Sequence, residues 1–499
     1  MARWPKKRLI GLILLVLGVC LLIVSYTTAQ PYKAAVQAEG GKFEAKLLTA
    51  EAEAIIQEHT SAETGEVIGM DFGTKLKVFV LKNYLSMTAI GFILVILGVA
   101  LFGVSFFEEG KANELTRKYT MVLALLAVLV FFFIVSEGKT LLPANINNLI
   151  AQNGYVFVLA AGMLCCILTG GNIDLSVGSV VCFTAAIGCK LMTFGWGMVP
   201  TVLVMLLVGL AIGTFQGFWI AKVHVPAFIA TLSGMYAFRG FSNIVLQGET
   251  VAISNTAFLN TFGGGADCYV PDFIRSLTGM EGKLNLTCLV LGVAAALVFA
   301  GLTVRRILVQ KKLGIQQSIA GQIIGTTVIC AVVVWLTLQL AKLKGIPTVL
   351  IWIALVLLVY NYVTTKTAMG RHLYAVGGNE KATALSGVNT RNVYWFAYAN
   401  IGMLAGLAGV LTAARAKGID PTYGEGYEMD AIASCFIGGA SAYGGTGKVS
   451  GMIIGATLMG VINQGMRIMA VDSNYQKVVK GIVLLVAVMF DVMSKRQKR

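Results

Sequence analysis

The apolar residues of this 499-residue chain come in long runs, not in the stripes of amphipathic helices; Leu9 to Tyr26, Leu85 to Phe107 and Met121 to Val135 are examples. Such runs approach the roughly 20 residues that carry a helix through a hydrocarbon layer about 30 Å thick. Read between glycine, proline and charge punctuation, the pattern predicts helices near 9–26, 85–107, 119–135, 149–169, 175–193, 199–221, 227–246, 285–304, 316–341, 347–364, 393–414, 430–443, 449–469 and 476–492. The fold class that follows is all-α, a polytopic membrane helical bundle of about 14 transmembrane helices.

Basic residues orient the bundle, because short cytoplasmic segments carry the excess of Lys and Arg. Arg3, Lys6, Lys7 and Arg8 place the N-terminus in the cytoplasm. Counting crossings from there puts Arg305, Arg306, Lys311 and Lys312 inside, followed by Lys366, Arg371, Lys381 and Arg391. The tail, with Lys495, Arg496, Lys498 and Arg499, also falls inside if 430–443 crosses fully; a re-entrant 430–443 is the open alternative. Lys342 and Lys344 fall outside, against the trend. The two longest outside segments, 27–83 and 247–284, are net acidic, and FEAKLLTAEAEAIIQEH (43–59) has helical spacing.

Composition agrees with the pattern. Hydrophobic residues make up 57% and charged residues 13% of the chain, against about 45–50% and about 25% in a soluble domain. The net charge of +15 sits in short blocks beside apolar runs, so it speaks for orientation and not for a nucleic-acid partner. Eight of nine cysteines (Cys20, Cys165, Cys166, Cys182, Cys189, Cys288, Cys330 and Cys435) lie in or beside apolar runs, with Cys268 in a polar loop. They read as buried free thiols and not as disulfides or a metal site. MARWPKKR and the run after it read as a retained first helix, the alternative being a cleaved signal peptide.

Small residues recur at helical spacing: Gly209, Gly213 and Gly217; Gly402 and Gly406; Gly451 and Gly455. Lipid gives helices no hydrophobic reason to associate, so small faces that let backbones approach are how such bundles pack. Ionisable groups within the runs are few, and each needs a reason. GGNIDLSVGS (170–179) offers Asn172, Asp174 as an N-cap, and Ser176. It is either a tight capped turn or a helix break that exposes polar groups to a translocation path. Arg239, in the run 226–246, either snorkels to an interface or faces a protein-lined cavity or a carboxylate.

The segment GRHLYAVGGNEKATALSGVN (370–389) predicts a short cytoplasmic helix. Asn379 caps it, Glu380 favours its first turn, Ala382 to Leu385 form it and Gly387 ends it. A helix this short needs a second surface, its own protein's or a docking partner's. The glycine-rich run 420–448 fails as a phosphate loop, since Ala442 stands where the pattern needs Gly and Val449 follows Lys448; Gly138-Lys139-Thr140 fails likewise. His59, His224 and His372 lie far apart, and no catalytic, cofactor or metal-ligand motif is present.

Together, GGNIDLSVGS, VPAFIATLSGMYAFRG (225–240), GRHLYAVGGNEKATALSGVN and DPTYGEGYEMDAIASCFIGGASAYGGTGKVSG (420–451) resemble, in order, hallmarks of the permease subunits of monosaccharide ABC importers. The resemblance covers roughly 119–499. It implies that Gly378, Asn379, Glu380, Ala382, Leu385, Ser386 and Gly387 couple to a separate ABC ATPase. It also implies a second permease copy, an extracytoplasmic sugar-binding protein, and path or structural roles for Asn172, Asp174, Ser176, Arg239, Glu428 and Asp430. The domain plan is then an N-terminal two-helix extension over 1–118, with its extracytoplasmic segment 27–83, and a permease core over 119–499 with a cytoplasmic coupling segment at 365–392. The basic stretch and added helix at about 305–345 tilt the likeness toward the xylose and multiple-monosaccharide type. The alternatives are a nucleoside or branched-chain amino acid permease, an ion-coupled secondary transporter, and a membrane enzyme.

Overall fold

In the computed structural model, residues 45–59, 70–84, 114–136, 138–278, 284–313 and 319–496 are described, with scattered positions between 13 and 32 and residues 87 and 91. The spans expected at 9–26 and 85–107 therefore lie largely outside the described residues. The chain forms two compact units, Gly138–Gly460, and Met1–Glu137 together with Val461–Arg499.

In the unit formed by both chain ends, helices α1 (Ala45–Glu58) and α2 (Phe72–Lys82) pack Leu48 and Ala52 on Val78, Leu81 and Tyr84. Asp71 caps α2 by accepting from the amides of Thr74 and Gly73 at 3.1 and 3.2 Å. Helix α3 (Glu114–Val135) follows, and Phe132 leaves no room for a side chain at Gly465.

The central unit begins with α4 (Pro143–Gln152) and α5 (Gly154–Leu168), which meet at Asn153 with a bend of 41°. It continues through α6 (Val177–Thr193), α7 (Met198–Ala221), α8 (Ala227–Leu246), the two-residue strand β1 (Val251–Ala252), α9 (Thr256–Phe262) and α10 (Phe273–Thr278). Next come α11 (Leu286–Lys312), α12 (Ile319–Ala341), α13 (Thr348–Lys366), α14 (Ala368–Gly378), α15 (Glu380–Leu385), α16 (Thr390–Ala416), β2 (Gly418–Ile419) and α17 (Tyr427–Ile437). Helices α18 (Val449–Ile468) and α19 (Ser473–Arg496) complete the chain. The two strands pair antiparallel, Val251 with Ile419 and Ala252 with Gly418.

Helix α16 is the axis of the central unit: Tyr398, Ile401, Ala405, Ala408, Val410 and Ala414 are fully buried. Its small face meets that of α7. A Cβ on Gly209 would lie 2.4 Å from the Gly402 carbonyl oxygen, one on Gly213 2.3 Å from that of Tyr398, and one on Gly406 2.6 Å from that of Met205. Helix α5 covers another side, with Gly162 against Ile401 and Leu404. Helices α11 and α12 run antiparallel beside this core. Gly292 faces Thr337, the Cys330 thiol donates to the Ala296 carbonyl at 3.4 Å, and Gln322 donates to Gln310 at 3.0 Å.

Among the described residues, six helices are long and apolar enough to cross a membrane, and seven if the bent pair α4–α5 counts as one. The protein is thus nearly all helical and a polytopic membrane bundle, as its apolar runs predict. Three departures have local causes. Helix α11 runs on through Arg305 to Lys312, because no glycine or proline intervenes before Gly314. Helix α6 begins at Val177 with Ser176 as its first flanking residue, so Asp174 is not its N-cap. In place of a span at 430–443 stands the 11-residue α17, which starts earlier, at Tyr427, and ends at Ile437; its rise of about 16 Å is half of a span. The glycine-rich chain from Gly438 to Gly447 carries the segment onward.

Candidate functional site

The α5–α6 connection opens on Gly170 and Gly171, whose φ angles of +122° and +78° suit glycine alone. Asn172 stays local, donating to the Thr169 carbonyl and hydroxyl at 3.4 and 3.3 Å. Asp174 turns inward and is 2% exposed; its carboxyl accepts from the Ser176 amide at 2.8 Å and the Ser176 hydroxyl at 2.6 Å. This Asx turn fixes the chain just before α6. The Ser176 hydroxyl in turn accepts from Gln216 Nε2, at 2.9 Å, near the C-terminal end of α7. Gly234 of α8 packs on that amide, which a Cβ would approach to 2.1 Å. Three helices therefore meet on one buried polar chain. Gln216 was not among the residues expected at this site, although an amide inside the apolar run 199–221 is a visible signal.

On the other side of α6, the loop after β2 descends along the same helix. Arg239 Nη1 donates to the carbonyls of Pro421 at 3.0 Å and Tyr423 at 2.6 Å. Arg239 therefore faces a protein-lined loop instead of snorkelling. Gly424 and Gly178 touch backbone to backbone, each hypothetical Cβ falling 2.1 Å from the other's carbonyl oxygen. Glu428 lies beside Gly178, its Oε2 2.5 Å from where a Cβ would stand. Asp430 points toward α5, where its carboxylate accepts from the Tyr155 hydroxyl at 2.6 Å and the Tyr155 and Tyr427 rings stack at 3.6 Å. Both acids sit in the first turn of α17, where the helix dipole favours them.

The segment 379–387 is a short helical outcrop. Asn379 Oδ1 accepts from the Ala382 amide at 3.0 Å, Thr383 is buried beneath, Ser386 Oγ donates to the Thr383 carbonyl at 2.7 Å, and Gly387 ends the turn at φ +88°. Glu380 accepts from the Tyr394 hydroxyl at 3.1 Å. Leu385 is 90% exposed, an apolar side chain held out from the protein. The expected cap, helix and stop are all in place. The preceding α14 was not foreseen.

Helix α14 ties this outcrop to the helix breaks. At Gly377 a Cβ would lie 1.8 Å from the Leu168 carbonyl oxygen, at the end of α5, and 2.4 Å from the Gly445 amide nitrogen. That amide donates to the same Leu168 carbonyl at 3.0 Å. Gly171 is equally close to Ala442, and the Tyr374 hydroxyl donates to the Gly447 carbonyl at 2.7 Å. Three chain segments, 168–171, 374–378 and 442–447, thus meet backbone on backbone at their glycines, with the Tyr374 hydroxyl as a side-chain tie at one edge. The structure brings Asp174 and Ser176 together and turns Arg239 of α8 onto the loop after β2; Glu428 and Asp430 share the first turn of α17 but face α6 and α5, and Asn172 stays with Thr169.

Residues 145–488 match the family of permease components of the branched-chain amino acid transport system type. The chain belongs to this permease family. It is 34% identical to the xylose transport system permease protein of Escherichia coli K12 over 385 residues, covering 76% of this chain and 92% of that one. The ribose import permease of the same organism is 32% identical over 379 residues, 75% and 94% of the two chains. A Haemophilus influenzae xylose permease is 32% identical, covering 76% and 97%. No solved structure matches the chain. The permease is a multi-pass membrane protein, and the family match begins at α4, after α1 to α3.

Proposed function

We propose that this permease is the membrane-spanning subunit of an ATP-binding cassette importer that moves a monosaccharide into the cytoplasm by alternating access. Both the xylose and the ribose permeases resemble it over most of their length, which favours sugar over the amino acid in the family's description. A separate ABC ATPase hydrolyses the nucleotide, an extracytoplasmic binding protein delivers the sugar, and two permease copies form the pathway. Residues 119–499 are the transporting core, and 1–118 an extension. Both termini are cytoplasmic if the chain from Tyr427 to Gly447 completes one crossing; its last residues pack beside the coupling segment, on the side that the basic blocks assign to the cytoplasm.

The observation that carries this reading is the three-way glycine contact under the coupling helix. A push on Leu385 and its neighbours passes through α14 to the ends of α5 and of the 438–447 chain without a compliant side chain in between. Asp174, Ser176, Arg239 and Glu428 then hold the two breaks that shift, and Asn172 and Asp430 brace them. Because sugars are neutral, the path needs no relay of buried charges.

The double variant Glu380→Ala/Leu385→Ala tests the coupling role. Its co-purification with the ATPase should fall at least about tenfold, a cost of roughly 1.4 kcal/mol, while membrane insertion is unchanged. Normal co-purification and uptake would refute the assignment. Uptake of labelled xylose or ribose, competed by sugars but not by leucine, tests the cargo.

A further inference from the structure

Helices α11 and α12 differ from the rest of the central unit in how little of them is covered. Leu297, Val298, Leu302 and Ile324 are each about 60% exposed or more. Between them runs a groove of about 540 Å³, lined by Ala300, Val304, Ile307, Ile323, Thr327 and Val334 among others. The Gln322–Gln310 hydrogen bond bridges the pair next to one end of the groove. At that same end α11 carries Arg305, Arg306, Lys311 and Lys312, all exposed. Lys311 follows Ile307 by four residues and Val304 by seven, so it continues the face that lines the groove.

The length of α11 sets the depth of this end. The 20 residues from Leu286 to Arg305 rise about 30 Å, one hydrocarbon thickness. The arginines therefore lie at headgroup level and the lysines beyond it. The cluster has no acidic side chain of its own to neutralise it: between Glu281 and Glu380 the sequence contains neither Asp nor Glu. An apolar groove that ends in four cations with no ion-pair partner among the described residues is complementary to a molecule with an apolar chain and an anionic head.

We infer that α11 and α12 hold an anionic phospholipid, with an acyl chain in the groove and its phosphate on the basic end of α11. Interfacial Lys and Arg near an anionic surface contribute about 1 kcal/mol each, which is ample for selective retention. Such a lipid would fill the space between two helices that touch little else, and would fasten them to the membrane at one end.

Native mass spectrometry of the intact permease in mild detergent, titrated with phosphatidylglycerol or phosphatidylcholine, tests this. Phosphatidylglycerol should bind at least about tenfold more tightly. The variant R305Q/R306Q/K311Q/K312Q should lower that affinity to the level of phosphatidylcholine. Ala331→Trp, which fills the groove and keeps the charges, should weaken both lipids. Equal binding of the two lipids by the wild type, or an unchanged preference in the charge variant, would overturn the proposal. So would displacement of phosphatidylglycerol by excess inorganic phosphate, which would mark a free-anion site. A disulfide between Cys330 residues of two copies in the native membrane would likewise overturn it, since a second permease would then cover the face.

Discussion

Asp272 shows what one carboxylate does for a long loop. It accepts from the amides of Leu286 and Thr287, both at 2.9 Å, and from the Thr287 hydroxyl at 2.8 Å, so it ties the 247–284 loop to the first turn of α11. Burial pushes its pKa up, but the amide and hydroxyl of Thr287 and the amides of Leu286 and Arg275 outweigh that and hold it at about 2. A folded pKa below the unfolded value of about 3.9 means stability that is complete above pH ~4 and lost as pH falls toward 2. The melting temperature of Asp272→Ala should therefore lie below that of the wild type at neutral pH, and the gap should close between pH ~4 and 2. A gap that stays constant with pH would show that the cap works without its charge.

The polar chain at the break allows a ranking. Ser176→Ala removes one of two donors from the buried Asp174 carboxyl and also the acceptor of the buried Gln216 amide, and an unsatisfied buried group costs about 1–3 kcal/mol. Gln216→Leu removes an amide–hydroxyl bond between helices, and such bonds in membranes average about 0.6 kcal/mol. Thermal unfolding in detergent should thus show the serine variant to be the weaker of the two; the reverse order would make Gln216, and not Asp174, the demanding partner. Asp174, Ser176 and Arg239 stood out in the sequence because polar residues in apolar runs are rare. Their partners did not: Arg239 is held by two carbonyl groups and Asp430 by a tyrosine 275 positions away, and neither contact has a local signature.

At the scale of elements, hydrophobic runs locate helices but do not say where a helix is interrupted. The helix expected over 149–169 runs through Gln152, Asn153 and Gly154, yet α4 and α5 bend at Asn153 by 41°, and Val349 would meet any Cβ at Gly154 at 2.7 Å. Helix α17 stops at Ile437 because Gly438 and Gly439 follow, and the chain then meets Gly377 at Gly445 and Leu164 at Gly447. Helix α15 was legible because its cap, acidic first turn and terminal glycine lie within nine residues. Its connection to the bundle was not, since contact between three glycine segments leaves no pattern of side chains. Gly377→Val tests that connection. The exposed face of α15 is untouched, so ATPase association should persist and ATP hydrolysis continue, while sugar uptake falls about tenfold or more, a barrier change of roughly 1.4 kcal/mol. Retained uptake would show that force reaches the breaks by another route.

For the whole molecule, the question is what holds apolar helices together in an apolar solvent. Burial supplies little, because lipid chains solvate leucine as well as another helix does. Close backbone approach supplies more, and α7 and α16 are where it is densest. An alanine normally stabilises a helix over glycine by about 0.5–1 kcal/mol. Gly301, on α11, has nothing within 4 Å of a hypothetical Cβ, so Gly301→Ala should be neutral or stabilising. At Gly402 the same methyl would lie 2.4 Å from the Gly209 carbonyl oxygen and 2.6 Å from the Gly213 Cα. Neither backbone atom can swing away, so α7 and α16 must separate, and overpacking of this kind costs about 1–3 kcal/mol. Gly402→Ala should therefore lower the unfolding temperature of the purified permease, opposite in sign to the control. Equal effects at the two positions would mean that the small face of α16 is not what joins the central helices.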